Sequence, residues 1–139
     1  MITVNLNQLP LTEFTAPGNQ GQRCKATFPL LGMHGTKNSA TVYFELDPNE
    51  QLGTHTDSAE EIILVLEGSV QATVGDEKQT ATKGHLVLIP KMLPHNLENI
   101  GSKPAKILGF FGGANHIVAT FEQVWEPTGS NMVDTSTLG

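Results

Sequence analysis

His55, Asp57 and Glu61 carry side chains able to hold a metal ion, and they share one parity in the chain. On an extended segment all three would face the same side. A second imidazole follows: a segment that starts at Gly84 reaches Pro90, turns, and resumes as a strand at His95. If that strand pairs with the first, two imidazoles meet one or two carboxylates. This is a donor set for a divalent metal ion such as Fe, Mn, Zn or Ni, and the lack of a thiolate among the donors argues against a structural zinc knot. Ile63 and Val65 share the parity of Glu61 and are expected to line the interior beside the metal, with Tyr43 and Phe110 approaching the same cavity. Glu60, of opposite parity, should point away.

The other reactive side chains read as structural. His34, within Gly32-Met33-His34-Gly35, is expected to face solvent from a loop, His85 to shape the turn after Gly84, and His116 to end a strand. Cys24 is the single cysteine, which rules out an internal disulfide, and it has no evident activating neighbour. Trp125 reads as a packing residue.

The elements that must position these residues are strands. Apolar residues recur with a period near two, and Gly, Pro, Asn and Asp punctuate the chain at short intervals. Residues 40–46 read as a strand ended by Asp47-Pro48-Asn49, since proline cannot donate to a ladder. Residues 61–66 are apolar on both faces, as suits a strand between two layers or at a subunit contact. Residues 70–74 and 78–82 predict a hairpin across Gly75-Asp76-Glu77. Residues 86–89, 95–99, 106–111 and 116–121 continue the series, with short strands expected near 2–6 and 24–28. The tail beyond Trp125 is expected to fray or lie along the surface. No amphipathic helix of three turns and no linker interrupts the pattern. The chain therefore reads as one all-β domain, 1–139, closed into an antiparallel barrel or jelly roll that hides its strand edges.

At these residues the sequence resembles the cupin family. The first cupin motif is His-X-His, three or four residues, Glu, six residues and Gly; here His55, Glu61 and Gly68 stand in it. The second is Gly, five residues, Pro, X, Gly, two residues, His, three residues and Asn, met by Gly84, Pro90, His95 and Asn99. Residues 69–83 separate the motifs, as in shorter family members, and the resemblance spans 42–111. It implies a double-stranded β-helix and a metal held by histidines and a glutamate. Asp57 stands where the family has its second motif histidine, and Met92 where it has a turn glycine. Asp57 is then either an anionic fourth ligand or a solvated or hydrogen-bonded turn residue. Met92 predicts a turn that avoids positive φ, with the methionine packing over the barrel end.

The formal charge is −6 and the eight Lys and Arg are scattered, so there is no basic stripe for nucleic acid. No apolar run approaches the ~20 residues of a membrane span, and the start does not read as a signal peptide; the cytoplasm is the expected compartment. Three functions fit a metal beside a small-molecule pocket. They are a dioxygenase-like oxidoreductase, a redox-silent isomerase or hydrolase acting on a sugar or keto acid, and a non-catalytic binding protein for a small ligand. No general base is evident beyond the ligands. Ile62, Leu64 and Leu66, opposite in parity to Glu61, offer an apolar face for a homodimer.

Overall fold

The computed structural model describes residues 1–138. Its strands form two six-stranded sheets in which every ladder is antiparallel. The first sheet runs, in spatial order, β1 (Thr12–Thr15), β2 (Arg23–Thr27), β3 (Ser39–Leu46), β10 (Ala105–Gly112), β5 (Glu61–Glu67) and β8 (Leu86–Ile89). The second runs β12 (Ser130–Asp134), β11 (Val118–Trp125), β4 (His55–Asp57), β9 (His95–Asn99), β6 (Ser69–Val74) and β7 (Glu77–Thr82). From β3 onward nearly every connection crosses from one sheet to the other, which is the weave of a jelly roll. Alternate residues of each strand face inward, so Phe44, Leu46, Ile63, Val65, Leu97 and Ile107 meet in a common core between the sheets. No helix among the described residues is long and apolar enough to cross a membrane.

Local chemistry fixes the crossings that matter for the site. Gly68 carries the chain from β5 into β6 at φ 90°, and a Cβ there would sit 2.8 Å from the Cα of Ala105. Only glycine meets both demands. Asn99, at the end of β9, is buried and fully used. Its amide donates to the Leu46 and Lys103 carbonyls at 2.8 Å each, and its oxygen accepts from the Gly101 N–H at 2.8 Å. It ties three chain segments together at the end of the barrel.

Four expectations need correction. Residues 2–6 form no strand: Asn5 accepts from the Asn7 N–H and caps a 3-10 turn, Leu6–Gln8, because a local side-chain bond competes with the ladder. The C-terminal tail does not fray. It pairs as β12 with β11, and the Thr135 hydroxyl beyond it accepts from the buried Ile117 N–H at 2.8 Å. The stretch from His55 to Glu61 is not one extended segment, because Ser58 to Glu60 carry the chain from β4 in one sheet to β5 in the other. Met92 does adopt positive φ, 62°, while its N–H donates to the Asp57 carbonyl at 2.9 Å. The turn keeps a glycine-like backbone and the bond to Asp57 holds it there.

Candidate functional site

The short ladder between β4 and β9 sets His55 directly opposite His95, the closest approach two residues make across a sheet. Their ring centroids are 4.1 Å apart. Asp57, two residues along β4 on the same face, brings its carboxylate between them. Donor atoms of His55, Asp57 and His95 all lie within 4.8 Å of one another, and all three residues are buried. His95 Nε2 stands 3.0 Å from Asp57 Oδ2 and 3.7 Å from Glu61 Oε1, and His55 Nε2 stands 3.8 Å from that same Asp57 oxygen. Glu61 enters from β5, so the cluster is clasped between the two sheets.

The backbone sets the tautomer of both rings. His55 Nδ1 faces the Gly53 carbonyl at 2.8 Å, and His95 Nδ1 faces the Leu93 carbonyl at 2.9 Å. A carbonyl only accepts, so each Nδ1 carries the proton and donates. Each Nε2 is thereby turned into the cluster, and with that nitrogen unprotonated the ring presents a lone pair there, the arrangement found where a histidine ligates a metal. Further support comes from Phe121, which lies nearly parallel to the His55 ring at a centroid distance of 4.4 Å.

This convergence leaves an electrostatic problem without a cation. Asp57 Oδ2 and His95 Nε2 are both buried and lack an aligned hydrogen-bond partner, although 3.0 Å apart. Buried polar atoms are rarely left so. Burial disfavours the His95 imidazolium, but the Asp57 and Glu61 carboxylates outweigh it and carry its pKa up to about 10. His55 moves the other way, down to about 4, because burial dominates its surroundings. Burial also raises the pKa of Glu61. Two donors each ~2.1 Å from a shared ion lie roughly 3.0–3.4 Å apart at right-angled or tetrahedral geometry. The observed separations of 3.0 to 3.8 Å are close to that range, so the residues present fit a divalent metal.

A cavity of about 80 Å³ adjoins the cluster. Ile63 is on its wall, whereas Val65 packs in the core farther along β5. Tyr43 and Phe110 are not on it. Tyr43 has the parity opposite to the lining residues Val42 and Phe44, and its hydroxyl donates to Glu45 at 2.6 Å; Phe110 is exposed. Glu60 is exposed, His85 accepts from the Thr82 N–H within its turn, and His116 lies outside the site. His34 accepts from the Leu31 N–H, away from the cluster. Burial pushes the Cys24 thiol up to about 12. Sequence reasoning missed Phe14, Phe121 and Trp125 as cavity wall and Gly109 as the cradle of Glu61. A Cβ at 109 would collide with Glu61 Oε2 and lie 2.9 Å from Val42 Cγ1. The signal available was a lone glycine inside an apolar strand run, which marks a close approach.

Comparisons with known proteins agree with this architecture. The sequence is 45% identical over 51 residues to Uncharacterized protein MJ1618 of Methanocaldococcus jannaschii, a match covering 37% of this chain and 41% of that one. The matched part thus spans about four-tenths of that relative's length. Among solved structures, the polyketide cyclase RemF from Streptomyces resistomycificus superposes with a TM-score of 0.68 at 21% identity, over 81% of this chain and 79% of its own. A predicted oxalate decarboxylase from Thermotoga maritima gives 0.69 at 19%, over 81% and 99%. The Cnp3 cupin domain of Schizosaccharomyces pombe gives 0.66 at 13%, over 81% and 74%. At these identities the likeness is one of fold. The family profile described as Cupin domain matches residues 42–111, half of the chain and the span holding every residue of the cluster, and the protein belongs to that family.

Proposed function

We propose that the protein is a metal-dependent oxidoreductase of the dioxygenase kind, in which His55, Asp57 and His95 hold a divalent ion and Glu61 is a fourth donor. The observation that carries this is the pair of buried Nε2 atoms, oriented by the Gly53 and Leu93 carbonyls and gathered with the Asp57 carboxylate around one point. Two imidazoles and a carboxylate select iron among the candidate metals, with Mn, Zn and Ni as poorer choices. When bound, such an ion supplies open coordination positions where a small substrate and dioxygen can be held side by side. The chain's own residues do the rest. Phe121 and the backbone carbonyls keep the His55 and His95 rings from rotating, the apolar wall excludes water, and the buried Glu61 carboxylate, whose charge burial disfavours, gains a cation to offset that charge when the ion is bound. Apart from the cluster, Cys24 is the one titratable side chain on the wall, and its thiol is not ionised near neutrality. That favours chemistry supplied by the metal, whether redox or Lewis-acid, over chemistry by protein acids and bases alone.

The test is metal analysis of protein purified without chelator, followed by oxygen uptake on a panel of phenols, thiols and keto acids. The expected result is about one bound ion per chain and substrate-dependent oxygen loss; no metal under any loading condition refutes the reading. Asp57→Ala should lower the metal content, and unchanged occupancy removes Asp57 from the ligand set. The reading extends to a homodimer. Ile62 faces Phe110 and Leu88 across the ladders, and all three are exposed on the outer face of the first sheet with Leu86. Light scattering that gives a monomer mass refutes the dimer.

A further inference from the structure

The wall of the cavity has a composition the chain provides nowhere else. Five of the six phenylalanines, Phe14, Phe28, Phe44, Phe111 and Phe121, and the single tryptophan, Trp125, line it. His55, Phe121, Trp125 and Phe14 form a continuous file of rings. His55 stacks on Phe121 at 4.4 Å, Phe121 meets Trp125 edge-on at 5.2 Å, and Trp125 meets Phe14 edge-on at 6.1 Å. Polar side chains on the wall are confined to the His55, Asp57, Glu61 and His95 cluster and the thiol of Cys24.

From this we infer that the ligand is a compact aromatic molecule, one ring at most, that carries an oxygen donor on the edge turned toward the cluster. A phenol is the simplest member of the class. The inference rests on the metal-centred reading for the oxygen donor but not for the ring. Edge-to-face and offset contacts with such a file of rings favour an aromatic guest beyond the area it buries. A sugar or a small dicarboxylate has several oxygens distributed around it, and those facing Phe28 or Phe44 would be buried without hydrogen-bond partners. Size sets the upper bound. A void of ~150 Å³ takes up benzene, so a cavity of about 80 Å³ must widen to nearly twice its volume to enclose a single ring, and a fused system would demand far more.

Trp125 makes the cavity directly observable, because it is the chain's one tryptophan and part of the wall. Its fluorescence, excited at the red edge of indole absorption, is titrated with benzene, phenol, oxalate and ribose in metal-depleted and metal-loaded protein. Benzene and phenol are expected to give saturable changes in both forms, at least ~10-fold tighter than oxalate or ribose, with phenol tightening further on metal loading. Ala26→Leu, which fills the cavity from β2, should abolish the response while metal content stays unchanged. Ala26→Val serves where the larger side chain disturbs the circular dichroism. No saturable response to benzene or phenol, or tighter binding of oxalate or ribose, overturns the ligand class even if the metal binds. Phenol binding that is as indifferent to metal as benzene binding upholds the ring and overturns the oxygen donor turned toward the cluster, whether or not the metal analysis finds the ion.

Discussion

Replacing Gly109 by alanine should loosen both the barrel and the hold on Glu61. Gly109 lies in the middle of β10, in register with Val42 on one side and Ile63 on the other. The added methyl would collide with Glu61 Oε2 and stand 2.9 Å from Val42 Cγ1. Glu61 is 3% exposed, so its carboxylate cannot move out to solvent without disturbing the packing around it. Overpacking of this kind costs ~1–3 kcal/mol, offset by the ~0.4–1 kcal/mol that a Gly to Ala change contributes through the unfolded chain. The net loss is roughly 0–2.6 kcal/mol. With an unfolding entropy of ~2.1 cal/mol/K per residue, the chain's unfolding entropy is ~0.3 kcal/mol/K, so the melting temperature should fall by up to about 9 °C. Glu61 can relieve the clash only by leaving its place near His95 Nε2, so metal affinity should fall as well. Gly112→Ala is the control, on the same strand with nothing within 4 Å of the new methyl; it should melt no lower than the parent. Thermal melts and metal titrations of both variants, with Gly109→Ala also combined with Glu61→Ala to measure the coupling, test the reasoning. A Gly109→Ala protein that melts like the parent and binds metal equally well refutes it.

Four further outcomes are expected. Metal at ~100 times its dissociation constant should stabilise the chelated protein by ~2.7 kcal/mol, or about 9 °C in a thermal melt, and a flat melt across a panel of divalent ions would refute the site. Met92→Gly should not destabilise, and is expected to stabilise by up to ~1 kcal/mol, because φ 62° strains an L-residue by ~1–2 kcal/mol and the added unfolded-state freedom cancels part of that gain; denaturant melts check the sign. Asn99→Ala removes three hydrogen bonds at a buried position and should cost ~3 kcal/mol, read the same way. The Cys24 thiol, raised to about 12 by burial, should resist alkylation at pH 9 until the chain is unfolded. Because the unfolded thiol gives up its proton at lower pH than the folded one, the group's contribution is intact below about pH 9 and is lost above it by at most ~1.4 kcal/mol per pH unit.

Much of the fold was legible because its inner strands alternate cleanly. In residues 40–46 and 105–111 the side chains that face the core are Ala40, Phe44 and Leu46 and Ala105, Ile107 and Phe111, a period-two pattern readable without coordinates. Two of the four sheet edges, β1 and β12, were not legible, whereas the edges β7 and β8 were. β1 and β12 are short and carry Thr, Ser, Asn and Asp, so their pairing is dictated by what lies beside them and not by their own apolar pattern. At the N-terminus Ile2, Val4 and Leu6 imitate a strand, and Asn5 decides the matter locally by capping a turn. Parity brought His55, Asp57 and Glu61 together through a segment that is not extended throughout. The agreement survives because Ser58 to Glu60 turn the chain into the facing sheet, where an inward position still points at the same interior. Tyr43 and Phe110 show the converse. Aromatic character suggested a cavity wall, but their parity opposes that of Phe44 and Phe111, and parity prevails within a regular strand.

The substitution that departs from the cupin motif also explains why the cluster is so tightly drawn. A histidine at position 57 would bring a third neutral donor on a longer side chain. Asp57 brings a negative charge on a short one, carried on the β4 segment whose backbone carbonyl also holds the Met92 turn. That bond links the turn before His95 to the residue whose carboxylate His95 faces, so the two strands cannot separate without breaking both contacts. Asp57 and Glu61 are both buried near the same imidazole, and burying like charges together opposes folding unless a cation or a proton intervenes. The chain accepts that opposition at one point of an otherwise apolar interior. A divalent ion would balance two carboxylates and leave the two imidazoles neutral, whereas a proton can satisfy only one oxygen at a time. The charge set and the geometry thus converge on the same occupant, and the turn that replaces glycine with methionine is held in place by the residue that replaces histidine with aspartate.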